Sequence, residues 1–285
     1  MQIPKVWRLW LRVNTNCVWQ KQRPERTPAR LGSTLMAGVH LEIQPQPNDT
    51  TCGPTCLHAV YGYYDDVLPL HQVIDETVSL SEGGTLGALL GQHALSRGYD
   101  ATIYTFNLRV FDPTWFDEHG HGRPELRDRL ADQILAKDNP RLQYACRAYQ
   151  GFLDAGGRLW MQDLTRGLIR HYLNQSIPII AGLSSTFLYR AQREIGPACT
   201  PDDIHGLPTG HFVVLCGYDR NTKMVRVADP YLPNPFAPRD NYYVVNVDRV
   251  VCAILLGALT YDANLMIFSP SKSKGLTRGD THHRE

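Results

Sequence analysis

Late in the chain two apolar runs, residues 211–218 and 224–228, flank the polar stretch Asp219-Arg220-Asn221-Thr222. Runs rich in Val, Leu, Phe and Tyr, joined by a turn of this chemistry, form an antiparallel hairpin. Upstream, apolar residues recur at helical spacing instead. Leu57, Val60, Tyr61 and Tyr64 line one face of a helix that opens at Cys52, behind Thr50 and Thr51 as caps and with Pro54 in its first turn. The same pattern predicts helices over 71–78, 85–97, 124–137, 141–155, 164–174 and 249–258. Strands are expected over 39–43, 101–106, 177–183, 241–247 and 264–268. A helical first half followed by a strand-rich second half predicts an α+β fold.

Composition limits what this fold can bind. The 29 Lys and Arg against 28 Asp and Glu leave a net charge of +1, so neither nucleic acid nor an anionic membrane surface is expected as the main partner. No apolar run reaches the roughly 18 residues that a transmembrane helix needs. Residues 1–36 form a basic extension without the apolar stretch of a secretory signal. It is expected to be disordered, or to lie upstream of a start at Met36. An amphipathic membrane contact through Trp7, Trp10 and Trp19 is the less favoured reading. The polar tail 271–285 is expected to be disordered, and the domain to span 37–270. The seven cysteines are odd in number and contain no CxxC pair. That pattern predicts neither a disulfide framework nor a zinc site, and a cytoplasmic setting.

Four residues carry chemistry. Unpaired N–H groups at a helix N-terminus stabilise a thiolate, and Cys52 has that setting, with Gly53 expected to leave room for substrate beside the sulfur. A buried cysteine near a helix cap would explain Cys52 alone. Gln46, six residues earlier across a proline-containing loop, can donate its amide to a developing oxyanion together with the Cys52 N–H. His211 starts an apolar strand and therefore needs a partner for its ring. The hairpin places position 229 or 230 opposite it, so Asp229 reaches the ring directly or diagonally. Such a carboxylate fixes the imidazole tautomer, although a structural His–Asp pair closing a hairpin would look the same. Other candidates are weaker. Cys56 reads as a packed core cysteine before a resolving thiol, and His119 and His121 as a solvated loop before metal ligands. Asp202 and Asp203 are placed near the cleft by sequence proximity only.

The stretches Gln46-Pro47-Asn48-Asp49-Thr50-Thr51-Cys52-Gly53-Pro54, Gly210-His211-Phe212-Val213-Val214 and Ala228-Asp229-Pro230 resemble the bacteriocin-processing peptidase-like group of papain-like cysteine peptidases. The resemblance implies a helical lobe and an antiparallel β lobe with the active site between them. It also implies Cys52 as nucleophile, His211 as base, Asp229 as orienter and Gln46 as oxyanion donor. The span from Phe111 to Pro208 is longer than the group's leader peptidases need, and a helical insertion is expected near 107–205. Double-glycine leader specificity does not carry over. The expected reaction is hydrolysis of a peptide or amide bond through a thioacyl-enzyme on Cys52, with a peptide or protein as substrate and no cofactor or metal. Acyl transfer to an amine by the same triad, a non-catalytic peptide-binding role and a thiol redox role for Cys52 with Cys56 are the rivals.

Overall fold

The computed structural model describes residues 37–80, 84–196 and 199–271; the expectations for 1–36 and for the tail beyond 271 lie outside the described residues. In chain order the elements are β1 (Ala37–Gly38), α1 (Cys52–Tyr63), α2 (Leu70–Glu76), α3 (Gly87–Ser96), β2 (Tyr99–Thr105), α4 (Leu126–Ala136), α5 (Pro140–Asp154) and β3 (Arg158–Trp160). There follow α6 (Arg166–Asn174), β4 (Ile179–Ser184), α7 (Ser185–Tyr189), β5 (Glu194–Ile195), β6 (Thr200–Pro201), β7 (Gly210–Asp219), β8 (Met224–Ala228), β9 (Tyr242–Asn246), α8 (Val247–Leu256) and β10 (Asn264–Pro270). Several helix starts have local causes. Asn139 caps α5 ahead of Pro140, Thr165 caps α6, and Asn246 caps α8, each accepting from a backbone N–H of the first turn.

The fold is α+β, built on one mostly antiparallel sheet in the order β3-β2-β10-β4-β7-β8-β9, with β1 added to β7. The pair β2–β3 is parallel. Successive side chains of a strand point to opposite faces, and each face has its own core. Phe212 and Val214 of β7 pack with Leu57 of α1, Leu90 of α3 and Phe152 of α5. Val213 and Leu215 pack with Ile169 of α6 and Ile254 of α8 on the other face. Residues 107–205 supply α4, α5 and α6, but also β4, which lies inside the sheet and pairs with β7 from Ile179↔Leu215 to Ser184↔Gly210.

Two details of this sheet position the site. The expected strand over 39–43 does not form: β1 ends at Gly38, just before it, Val39 donates to Cys216 O (2.9 Å), and the ladder stops there. The edge of β7 beyond that point is already taken, because Leu215 pairs with Ile179 of β4. The segment therefore leaves the sheet, keeping Val39, Leu41 and Ile43 buried and using the Tyr242 hydroxyl, which donates to Leu41 O (2.7 Å) and accepts from Ile43 N (3.1 Å). The β7–β8 hairpin forms as expected, with a bulge between Leu215 and Gly217. Its last pair is Val214↔Ala228. Continuing that register sets Asp229 opposite Val213, so it meets His211 across the diagonal.

Candidate active site

Cys52 is the first residue of α1 and is half-buried. The N-terminal N–H groups of a helix have no acceptor within it. The expected threonine cap does not supply one, since Thr51 makes no side-chain cap bond. Its hydroxyl turns back to Asn48 O (3.1 Å) and tightens the 48–51 loop instead. The positive end of α1 is therefore left uncapped beside the thiol.

Gly53 does not serve the role expected of it. A Cβ there would lie 2.7 Å from Thr85 Cγ2 and 3.2 Å from both Leu90 Cδ1 and Phe212 Cδ2. The glycine lets α1 approach α3 and β7, and core atoms rather than substrate fill the space. Gly53→Ala should accordingly cost about 1–3 kcal/mol of stability by overpacking, read as a lower urea midpoint. An unchanged midpoint would mean that the interface yields freely.

The Nε2–H of His211 donates to Asp229 Oδ1 (2.8 Å), with the His211 side chain 8% exposed and that of Asp229 0%. This leaves Nδ1 clear of Asp229, and Cys52 lies near enough to act on the ring electrostatically. Burial alone would push the imidazolium down. The charge and hydrogen bond of Asp229, joined by Cys52, outweigh it and raise the ring to about 10. Asp229 is itself held on every side. Tyr231 N donates to Oδ1 (2.9 Å), and the hydroxyls of Tyr243 (2.9 Å) and Tyr189 donate to Oδ2. Its backbone is tied to Asn241 by Asp229 N→Asn241 O (2.7 Å) and Asn241 Nδ2→Asp229 O (2.6 Å).

Gln46 is drawn to the same segment, because its backbone N donates to Pro230 O (2.8 Å). One amide hydrogen goes to Asn48 O (2.9 Å), and Oε1 is buried without a hydrogen-bond partner. One amide N–H remains to donate. Cys56 is a core residue, 0% exposed, its thiol directed at Phe212 O (3.3 Å) and its pKa pushed up by burial. Asp219 sits in the hairpin turn, accepting from Asn221 N and Thr222 N, away from His211. Asp202 spends its carboxylate on the N–H groups of Ile204 and His205 in its own loop.

Sequence reasoning missed the residues around the pair. Tyr189 and Tyr243 occupy unremarkable apolar stretches, and no spacing rule joins them to Asp229. Asp262 is buried against Gly210, accepts from Thr260 Oγ1 (2.7 Å), and has its carboxyl pushed up to about 7 by burial. Glu194 is likewise raised to about 7 by burial, beside the Thr209 hydroxyl (3.3 Å). Cys199 is disulfide-bonded, although the odd and irregular cysteines predict no such framework. Cys52, Cys56, Cys146, Cys216 and Cys252 are free. Among the described residues no helix is long and apolar enough to cross a membrane.

No family model matches the chain, and no curated protein matches it. Solved structures do resemble it at low identity. A double glycine motif protease from an AMS/PCAT transporter, in complex with its leader peptide, is 14% identical with a TM-score of 0.38, over 82% of this chain and 94% of the other. The peptidase domain of Streptococcus ComA, a bi-functional ABC transporter of a quorum-sensing pathway, is 12% identical with a TM-score of 0.38, over 81% and 100%. Xylellain, a cysteine protease from Xylella fastidiosa, is 14% identical with a TM-score of 0.39, over 91% and 96%.

Proposed function

We propose that the chain is a cysteine peptidase in which Cys52, His211, Asp229 and Gln46 act together on a peptide or protein substrate. One observation carries this reading: a buried histidine gives one ring nitrogen to a buried carboxylate and stands in electrostatic reach of a cysteine at a helix N-terminus. A His–Asp pair that merely closed a hairpin would not need the cysteine. The Cys52 thiolate, paired with the His211 imidazolium, attacks the scissile carbonyl. The oxyanion is received by the Cys52 N–H and the spare Gln46 amide N–H. His211 then protonates the leaving amine, and a water activated by the neutral ring hydrolyses the thioacyl-enzyme.

The test is to incubate wild type and Cys52→Ala with a peptide library and identify new termini by mass spectrometry. New termini produced by wild type alone support the reading. Amide exchange onto an added amine without hydrolysis would replace it by acyl transfer, and absence of both would refute it. Within the reading, Gln46→Ala should lower kcat by roughly 10²–10³, the usual loss for one oxyanion donor, while Cys52 still alkylates at the wild-type rate. Turnover within a few-fold of wild type would remove Gln46 from the mechanism.

A further inference from the structure

We infer that Tyr189 and Tyr243 are positioning residues for this site: their hydroxyls clamp Oδ2 of Asp229 and thereby keep Oδ1 on the Nε2–H of His211. This rests on the peptidase reading for its catalytic consequence, but not for its geometry. An ionised carboxylate offers about four lone-pair sites. Here four donors meet them: His211 Nε2–H and Tyr231 N–H at Oδ1, and the Tyr189 and Tyr243 hydroxyls at Oδ2. No site remains for water, and rotating the carboxylate out of its plane would break all four bonds at once.

The two hydroxyls arrive from opposite sides of the hairpin. Tyr189 ends α7, which follows β4, the neighbour of β7. Tyr243 lies on β9, the neighbour of β8. Phe236 stands between them, its ring 5.7 Å from that of Tyr189 and 5.0 Å from that of Tyr243. Both phenols are buried, and burial followed by the Asp229 charge pushes them well above the ordinary range for tyrosine. They therefore remain O–H donors throughout the pH range in which the site works. A lone structural hydrogen bond would need one tyrosine; two on a single oxygen fix the carboxylate plane, and with it the tautomer that leaves Nδ1 to Cys52.

Tyr189→Phe, Tyr243→Phe and the double variant keep both rings and delete only the hydroxyls. Each single change should lower kcat about tenfold and the double about 10²-fold or more, with KM within about twofold of wild type. The second readout is the ¹H resonance of the His211 Nε2 proton, which needs no substrate. It should be downfield and slow to exchange in wild type, weakened in the singles and lost in the double. If the double variant does not fold, the singles carry both readouts. Phe variants with wild-type kcat and an unaltered Nε2 proton, whatever their melting temperature, overturn the assignment and leave the hydroxyls a packing role. If wild type cleaves nothing, the peptidase reading fails, while the proton resonance still decides whether the tyrosines hold the His211–Asp229 pair.

Discussion

Asp229→Ala should lower kcat by about 10³–10⁴ and cost about 3–5 kcal/mol of stability, the usual penalty for breaking a buried pair from one side. Both losses follow from the same geometry. The carboxylate is a shared acceptor for His211 Nε2–H, Tyr231 N–H and two tyrosine hydroxyls, and a buried donor that loses its acceptor is costly. Asp229→Asn should be milder. Its amide oxygen can serve His211 and Tyr231, and its NH₂ can meet the tyrosine hydroxyls once these rotate to accept. The expected order in both kcat and melting temperature is wild type, then Asn, then Ala. Full activity in Asp229→Ala would mean that the ring is oriented by another group, with Asp262, buried against Gly210, the first to examine.

The same pair sets a pH dependence whose sign is fixed. In the unfolded chain His211 titrates near 6.5, and in the fold it is raised to about 10. A raised pKa means that the folded state holds the proton more tightly. The stabilisation is therefore complete below about pH 6.5 and is lost as pH rises through about 10. Removing Asp229 leaves burial as the dominant influence on the ring, and the contribution changes sign, penalising the fold at low pH. Denaturation of wild type and Asp229→Ala at about pH 6 and about pH 10 reads this difference.

His211→Ala should remove turnover by about 10⁵–10⁶, as loss of the base does where nucleophile and base act as a unit. Here the loss has two parts. Cys52 forfeits the cation with which it pairs, and the leaving amine forfeits its proton donor. The variant also leaves the Asp229 carboxylate buried without its cationic partner, so a fall in melting temperature should accompany the loss of turnover. Only activity near wild type in a folded His211→Ala protein would count against the assigned role.

Much of this arrangement was legible in the sequence because it depends on local patterns. Period-two and helical spacing found the hairpin and the helix at Cys52, and turn chemistry placed Asp229 within reach of His211. The turn left a direct and a diagonal contact open, and the bulge at Leu215–Gly217 with the end of pairing at Ala228 selects the diagonal one. What failed depends on tertiary crowding. The segment around Leu41 alternates like a strand, yet β4 already occupies the edge it would have used. Gly53 resembled a substrate-side glycine but is an interface residue, because Leu90 and Phe212 come from distant elements. Tyr189 and Tyr243 were invisible for the same reason, since strand order alone brings α7 and β9 to either side of the hairpin.

The central claim is that Cys52 is an activated nucleophile paired with His211, and site-resolved alkylation tests it most directly. Each cysteine's rate of reaction with iodoacetamide near pH 7 is followed by mass spectrometry in wild type and in His211→Ala. Cys252 is free and exposed, so it reports the rate of an ordinary accessible thiol. The account predicts that half-buried Cys52 reacts at least about tenfold faster than Cys252 in wild type, and that His211→Ala abolishes the advantage. Equal rates at Cys52 and Cys252 in the wild-type protein would contradict it.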